Sequence, residues 1–215
     1  MNKAVIFDLD GTLLDTLPDI YDYVNVTLEK FGAQPRKQSE VRRFIGNGAK
    51  KLIERSFYGE LDEVQLKECL DFYNKAYTAS GSPKTKLFDG VAEVLKELKN
   101  RGYKLGILTN KPQITTDDVN QRYLREFAFD SIIGQRDGVK CKPDPTAVLS
   151  MLKEMDVLPE NAYFVGDGET DTEVSLNANM NGIAVLWGYR DYDDLYSAGA
   201  KTFCSSPKEL LDLIK

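Results

Sequence analysis

A chain of 215 residues with 34 acidic against 28 basic side chains, net charge −6, can bury a sizeable core but has the wrong charge for a polyanion-binding surface. Hydrophobic residues at 42% and charged residues at 29% are ordinary for a globular protein, and three cysteines without a CxxC pair indicate neither a disulfide framework nor a zinc site. The lack of histidine removes Ser-His-Asp triads, His-ligated zinc, phosphohistidine and imidazole bases together, which leaves carboxylates, lysine, hydroxyls and backbone amides for any chemistry.

In chain order, the apolar run from Ala4 to Phe7 predicts a buried strand that opens into Asp8, Leu9, Asp10, Gly11 and Thr12. Alternation sets Asp8 and Asp10 on one side of the chain with Leu9 between them, at the carboxyl end where open α/β sheets bind ligands. A plain polar turn is the alternative. The apolar residues before Asp8 are too few for a signal-peptide core, and the run from Ile183 to Trp187 is too short for a bilayer, so the expectation is a cytoplasmic protein without membrane or nucleic-acid partners. Nothing in the pattern specifies an oligomeric state.

After Asp15 the period changes to that of a helix, with Leu17, Ile20, Tyr21, Val24 and Leu28 ahead of a stop at Phe31 and Gly32. A second helical stretch, about 37–58, is interrupted at Gly46, Asn47 and Gly48, and a third runs over about 62–78. No strand pattern stands out between Asp15 and Lys84. The spacing therefore predicts an all-helical insert over residues 15–83, hinged at 12–18 and 80–83, in a core made of residues 1–14 and 84–215.

Helix and strand alternate from there on. Helix 91–100 precedes strand 103–108, helix 117–127, strand 131–133 and helix 145–155. Strand 162–165, helix 170–179, strand 182–186, a short strand at 201–204 and a last helix from Pro207 follow. That order predicts a parallel, doubly wound α/β core. Three of its loops carry chemistry-bearing residues: Thr109 and Asn110 after a strand, Lys142 in KCKPDP, and Asp167 with Asp171 after another strand.

The DLDGT at 8–12, the hydroxyl of Thr109, Lys142 and the Asp167/Asp171 pair, in that order, resemble the four motifs of the haloacid dehalogenase superfamily. The resemblance implies a Rossmann-like core, a helical cap inserted after the first motif, and Mg²⁺-dependent phosphoryl transfer from a small phosphorylated metabolite. It implies Asp8 as nucleophile forming an aspartyl phosphate and Asp10 as general acid, then base. Thr109, with the amides of Leu9 and Asn110, would hold the phosphoryl group, and Lys142 would neutralise it. The metal would be held by Asp8, the carbonyl of Asp10, Asp167 and Asp171, the last directly or through a neighbouring group.

Each residue also has a plainer role: Thr109 as a turn cap, Lys142 as a solvated lysine, Asp167 and Asp171 as acids at a helix amino end. In the insert, residues 42–55 resemble the specificity segment of phosphoglycolate phosphatase-like members. Gly46, Asn47 and Gly48 would form an anion turn there, with Arg43 or Lys50 reaching the substrate's distal carboxylate; a simple helix break is the alternative. The competing activities are a phosphosugar mutase, disfavoured because the loop after the first motif has no histidine, and phosphatases for pyrophosphate, phosphosugars or nucleoside monophosphates. A binding module would lose a motif, and a dehalogenase does not suit Asp10 and the metal set. Gly168 departs from the Ser or Thr that many relatives carry after the acidic residue.

Overall fold

The computed structural model describes residues 2–215. Strand β1 is Ala4–Phe7, with all four side chains buried. Neighbours in a strand face opposite ways, so Val5 and Phe7 enter one hydrophobic cluster while Ala4 and Ile6 enter another. A strand apolar on both faces needs cover on both, each large side chain gaining about 1.5–3 kcal/mol from burial.

Strand β2 (Leu14–Asp15) follows, then α1 (Leu17–Lys30), α2 (Gln38–Phe44), α3 (Gly48–Ser56) and α4 (Glu63–Ser80). Pro18 sits in the first turn of α1, where a missing N–H costs nothing. Asp62 caps α4 by accepting from the Gln65 amide at 2.8 Å. The break between α2 and α3 falls on Gly46 and Gly48, whose φ angles of 113° and 83° a side chain would resist. These four helices close on a cluster of their own that includes Val24, Leu28, Val41, Ile53, Tyr73 and Tyr77.

Strand β3 (Lys86–Leu87) pairs antiparallel with β2, so the helical segment leaves and returns through one short ribbon. No strand was expected there, because two residues are too few to show alternation. After α5 (Val91–Asn100), β4 (Lys104–Pro112) runs beyond its expected end at Leu108, with a register shift between Leu108 and Pro112. Helix α6 (Gln113–Val119) begins directly after it, earlier than the expected start near Asp117, and continues as irregular turns to Phe127.

The remaining elements are β5 (Ser131–Gln135), α7 (Thr146–Glu154), β6 (Ala162–Gly166), α8 (Glu169–Asn177), β7 (Asn181–Val185), α9 (Tyr192–Ser197), β8 (Phe203–Cys204) and α10 (Leu210–Leu213). Of these last elements α9 alone had no counterpart in the expected order. The six long-range strands form one parallel sheet in the order β5-β4-β1-β6-β7-β8. Side chains of α5 and α10 cover one face, those of α7 and α8 the other, which gives the doubly wound, Rossmann-like α/β core. The chain order reverses across β1, whose neighbours are β4 and β6; a crevice opens at their carboxyl ends. No helix among the described residues is long and apolar enough to cross a membrane.

Candidate active site

Asp8 is the first residue past β1, and its amide continues the ladder by donating to Val165 O at 2.9 Å. Asp167 is the first residue past β6, and Asp171 lies in the first turn of α8, where its Oδ2 accepts from the Gly168 amide at 2.8 Å. Lys142 enters from the loop before α7 and lays its ammonium 2.8 Å from Asp8 Oδ1 and 2.6 Å from Asp171 Oδ1. Asn110 holds that loop: its Oδ1 accepts from the Lys142 amide at 2.8 Å and its Nδ2 donates to Lys142 O at 3.2 Å. Asp8 Oδ1 is buried, with the Lys142 ammonium as its ionic neighbour.

Burial and the neighbouring Asp171 push the Asp8 carboxyl up to about 7, against the opposing pull of Lys142. Burial, then Asp171 and Asp8, push Asp167 up to about 8, although the Tyr189 amide and the Thr12 hydroxyl each hydrogen-bond it at 2.8 Å. For Lys142, burial works against the charge, but Asp171 and Asp8 outweigh it and hold the ammonium protonated.

Asp8, Asp167 and Asp171 each bring an oxygen to within 4.8 Å of the other two. Three carboxylates face one ammonium in a buried space, an excess of negative charge that a divalent cation would remove. The donors are oxygen throughout, which suits a hard ion such as Mg²⁺. Gly11 and Gly188 allow this crowding, since a β-carbon on either would stand 2.2–2.3 Å from an atom of Asp167.

On the other side of Asp8 is a cavity of about 520 Å³, its open mouth included, lined by Asp8, Asp10, Thr109, Asn110 and Lys111 from the core. Ile20, Ile45, Leu52, Tyr73 and Tyr77 from the helical segment close it. Thr109 is buried, and its Oγ1 accepts from the Lys111 amide at 3.3 Å. Asp10 is ion-paired with Lys111, whose Nζ lies 3.1 and 3.2 Å from its two oxygens. The same Nζ is 3.3 Å from the Tyr77 hydroxyl and 4.5 Å from its ring centre. Burial opposes the Lys111 charge, but Asp10 and then Tyr77 outweigh it, so its pKa is driven up.

The residues foreseen in the insert do not gather in the same way. Gly46 and Gly48 line the cavity, and Gly46 O accepts from Asn110 Nδ2 at 3.0 Å. A β-carbon on Gly48 would come 3.1 Å from Asn110 O, so glycine there lets α3 approach β4. Asn47 turns to Arg55, accepting from Nη1 at 2.8 Å. Arg43 and Lys50 are exposed and do not line the cavity; Lys50 is 4.0 Å from Glu54. Leu9 is buried, and its carbonyl accepts from the amides of Thr12, Leu13 and Leu14 to close the turn.

Lys111 was not foreseen, although it shares with Thr109 the two-residue step that links Asp8 and Asp10. Nor was the loop after β7, which ties the core to the helices. Tyr189 Oη accepts from the amides of Thr16 and Leu17 at 2.8 and 2.9 Å. Arg190 donates to the carbonyls of Arg42, Arg43 and Ile45 at 3.2, 3.3 and 2.6 Å and pairs with Glu169 at 2.8 Å. In return Arg42 reaches Gly188 O at 3.2 Å.

A family model described as haloacid dehalogenase-like hydrolase matches residues 5–185. A phosphoglycolate phosphatase of Psychrobacter arcticus is 34% identical over 200 residues, covering 90% of this chain and 87% of its own. The phosphoglycolate phosphatase of Colwellia psychrerythraea is 32% identical over 219 residues, covering 99% and 97%. A crystal structure from Clostridium acetobutylicum, described as a predicted phosphatase, superposes with a TM-score of 0.87 at 29% identity over 100% of this chain and 99% of that one.

Proposed function

The chain belongs to the haloacid dehalogenase-like hydrolases, and on that premise we propose that it is a Mg²⁺-dependent phosphatase for a small phosphorylated carboxylic acid of the 2-phosphoglycolate type, working through an aspartyl phosphate on Asp8. The observation that carries this reading is that Asp8 belongs at once to the buried acidic cluster and to the cavity wall. The resemblance to phosphoglycolate phosphatases over most of the chain supports the substrate class.

In this scheme a carboxylate oxygen of Asp8 attacks phosphorus, the bond from phosphorus to the ester oxygen breaks, and Asp10 gives that leaving oxygen its proton. Asp10 then takes a proton from the water that attacks the phosphoryl group, which frees Asp8. Lys142 holds positive charge against the nucleophile and the transferring oxygens, and Thr109 donates its hydroxyl to one of them with the amides of Leu9 and Asn110 alongside. Asp8, Asp167, Asp171 and the carbonyl of Asp10 would hold Mg²⁺. When bound, that ion would offset the repulsion between two anions. Residues 15–83 act as the cap over a core of 1–14 and 84–215, excluding water and bounding the substrate.

Phosphate release from 2-phosphoglycolate, pyrophosphate, glucose phosphates and nucleoside monophosphates, with Mg²⁺ and with excess chelator, tests the reading. Metal-dependent preference for 2-phosphoglycolate is expected. Preference for another ester would keep the chemistry and discard the substrate class, and release unaffected by chelator would discard the metal.

A further inference from the structure

The reaction scheme above leaves Lys111 without a task, although it is buried in the wall of the cavity beside the proposed acid. Among the described residues lining that cavity it is the one cation. Ile20, Ile45, Leu52, Tyr73 and Tyr77 make the side of the wall given by the helices largely apolar or phenolic, and the polar groups left beside Asp8 and Asp10 are the neutral Asn74, Thr109, Asn110 and Thr115. A charge buried in such a place costs several kcal/mol unless an anion answers it, and in the free protein Asp10 is that anion.

We infer that Lys111 reads the second anionic group of the substrate, the carboxylate of a short phosphorylated acid, and that Asp10 fills its place on the ammonium when no substrate is bound. The inference rests on the phosphatase reading, in which the ester oxygen lies at Asp10. In a 2-phosphoglycolate-type ester the carboxylate carbon is two bonds from that oxygen, which keeps the carboxylate within reach of the ammonium that now pairs with Asp10. It presents to Nζ the same pair of oxygens that Asp10 now presents at 3.1 and 3.2 Å. Substrate thereby takes over the ammonium and leaves Asp10, no longer held as its counter-ion, free to take up a proton from solvent and carry it to the leaving oxygen. Tyr77 anchors the ammonium from α4 through its hydroxyl and ring, so the reading group is complete only with the helical segment in place.

This assigns to Lys111 the selection that Arg43 and Lys50 are too exposed to make. It also bounds the substrate: a neutral alcohol phosphate leaves the Lys111–Asp10 pair intact, and a longer acid overshoots it.

The experiment is steady-state kinetics of wild type, Lys111→Met and Lys111→Gln on 2-phosphoglycolate and on ethyl phosphate, which keeps the phosphoryl group and lacks the carboxylate. The readout is the ratio of the two kcat/KM values. Wild type should favour 2-phosphoglycolate, and both variants should lose at least tenfold of that ratio, mainly through KM for 2-phosphoglycolate. Lys111→Gln keeps donors for Asp10 and Tyr77 and gives the same readout should Lys111→Met fail to fold. Equal losses on both substrates would overturn the inference and make Lys111 a positioning residue for Asp10. A wild type without preference for the carboxylate would overturn it together with the substrate class, while metal-dependent hydrolysis of either ester would leave the phosphatase chemistry standing.

Discussion

The backbone amide of Tyr189 donates to Asp167 Oδ2 at 2.8 Å while the hydroxyl of the same residue accepts from the two amides that open α1. One residue therefore touches the acidic cluster with its main chain and the root of the helical segment with its side chain. Removing the hydroxyl in Tyr189→Phe strands two amide donors at a buried helix start, at a cost of about 1–3 kcal/mol. Urea unfolding at constant pH should show that loss; a midpoint equal to wild type would mean that water replaces the phenol.

The next residue gives a stronger test of how the helices are held. Arg190→Ala deletes three donations to the carboxyl end of α2 and the pair with Glu169. A loss of about 2–3 kcal/mol is expected, since hydrogen bonds from a charged donor are the stronger kind. Limited proteolysis should cut within residues 15–83 earlier than in wild type. An unchanged cleavage pattern would show that the β2/β3 ribbon and the apolar contacts suffice.

Asp8 and Asp167 set a pH dependence whose sign follows from their raised pKa values of about 7 and about 8. The folded state holds these protons more tightly than the unfolded chain, whose carboxyls titrate near 3.9. Their contribution to stability is complete below about pH 4 and is lost as pH rises through 7 and 8. In chelator, thermal midpoints should therefore fall between pH 6 and pH 8. Protons and Mg²⁺ compete for the same oxygens, so added Mg²⁺ should raise the midpoint more at pH 8 than at pH 6. An identical increment at both values would separate the metal from these two groups.

Asp8→Asn replaces one of three crowded carboxylates with a neutral group of the same shape. Turnover should fall by more than about 10³-fold, as expected for loss of a nucleophile. Metal-free protein at pH 8 should melt a few degrees higher, because one uncompensated buried charge is gone. Lost turnover without the rise in midpoint would keep Asp8 as nucleophile and indicate that Lys142 already balances the cluster.

The parts of this molecule that were legible in its sequence are those specified locally. Four buried residues running into DLDGT announce β1 and its reactive end, and the 3.6-residue period of α1 and α3 announces helices. That period also carried a warning about Lys50. Ala49, Leu52 and Ile53 take the buried face of α3, which turns Lys50 outward whatever the glycine turn beside it suggests.

What stayed hidden depends on partners far along the chain. The strands β2 and β3 exist because they meet each other, and α9 buries only Leu195 among acidic neighbours. Tyr189 and Arg190 are unremarkable in sequence, and their importance comes from helices about 150–170 residues away. Lys111 was the nearest miss. It follows the recognised Thr109 by two positions, and the alternation that paired Asp8 with Asp10 would have pointed it at the same cleft.

The position of β1 in the sheet has a consequence for how the protein comes into being. Ala4 pairs with Lys104 on one side and with Ala162 on the other, so β1 is flanked only by strands made long after it. Such distant pairing slows folding in general. During synthesis, at roughly 5–20 residues per second, the segment bearing Asp8 waits several seconds with both edges open. A nascent chain stopped before Ala162 leaves one edge of β1 unpaired, the kind of open strand edge that can pair with the wrong partner.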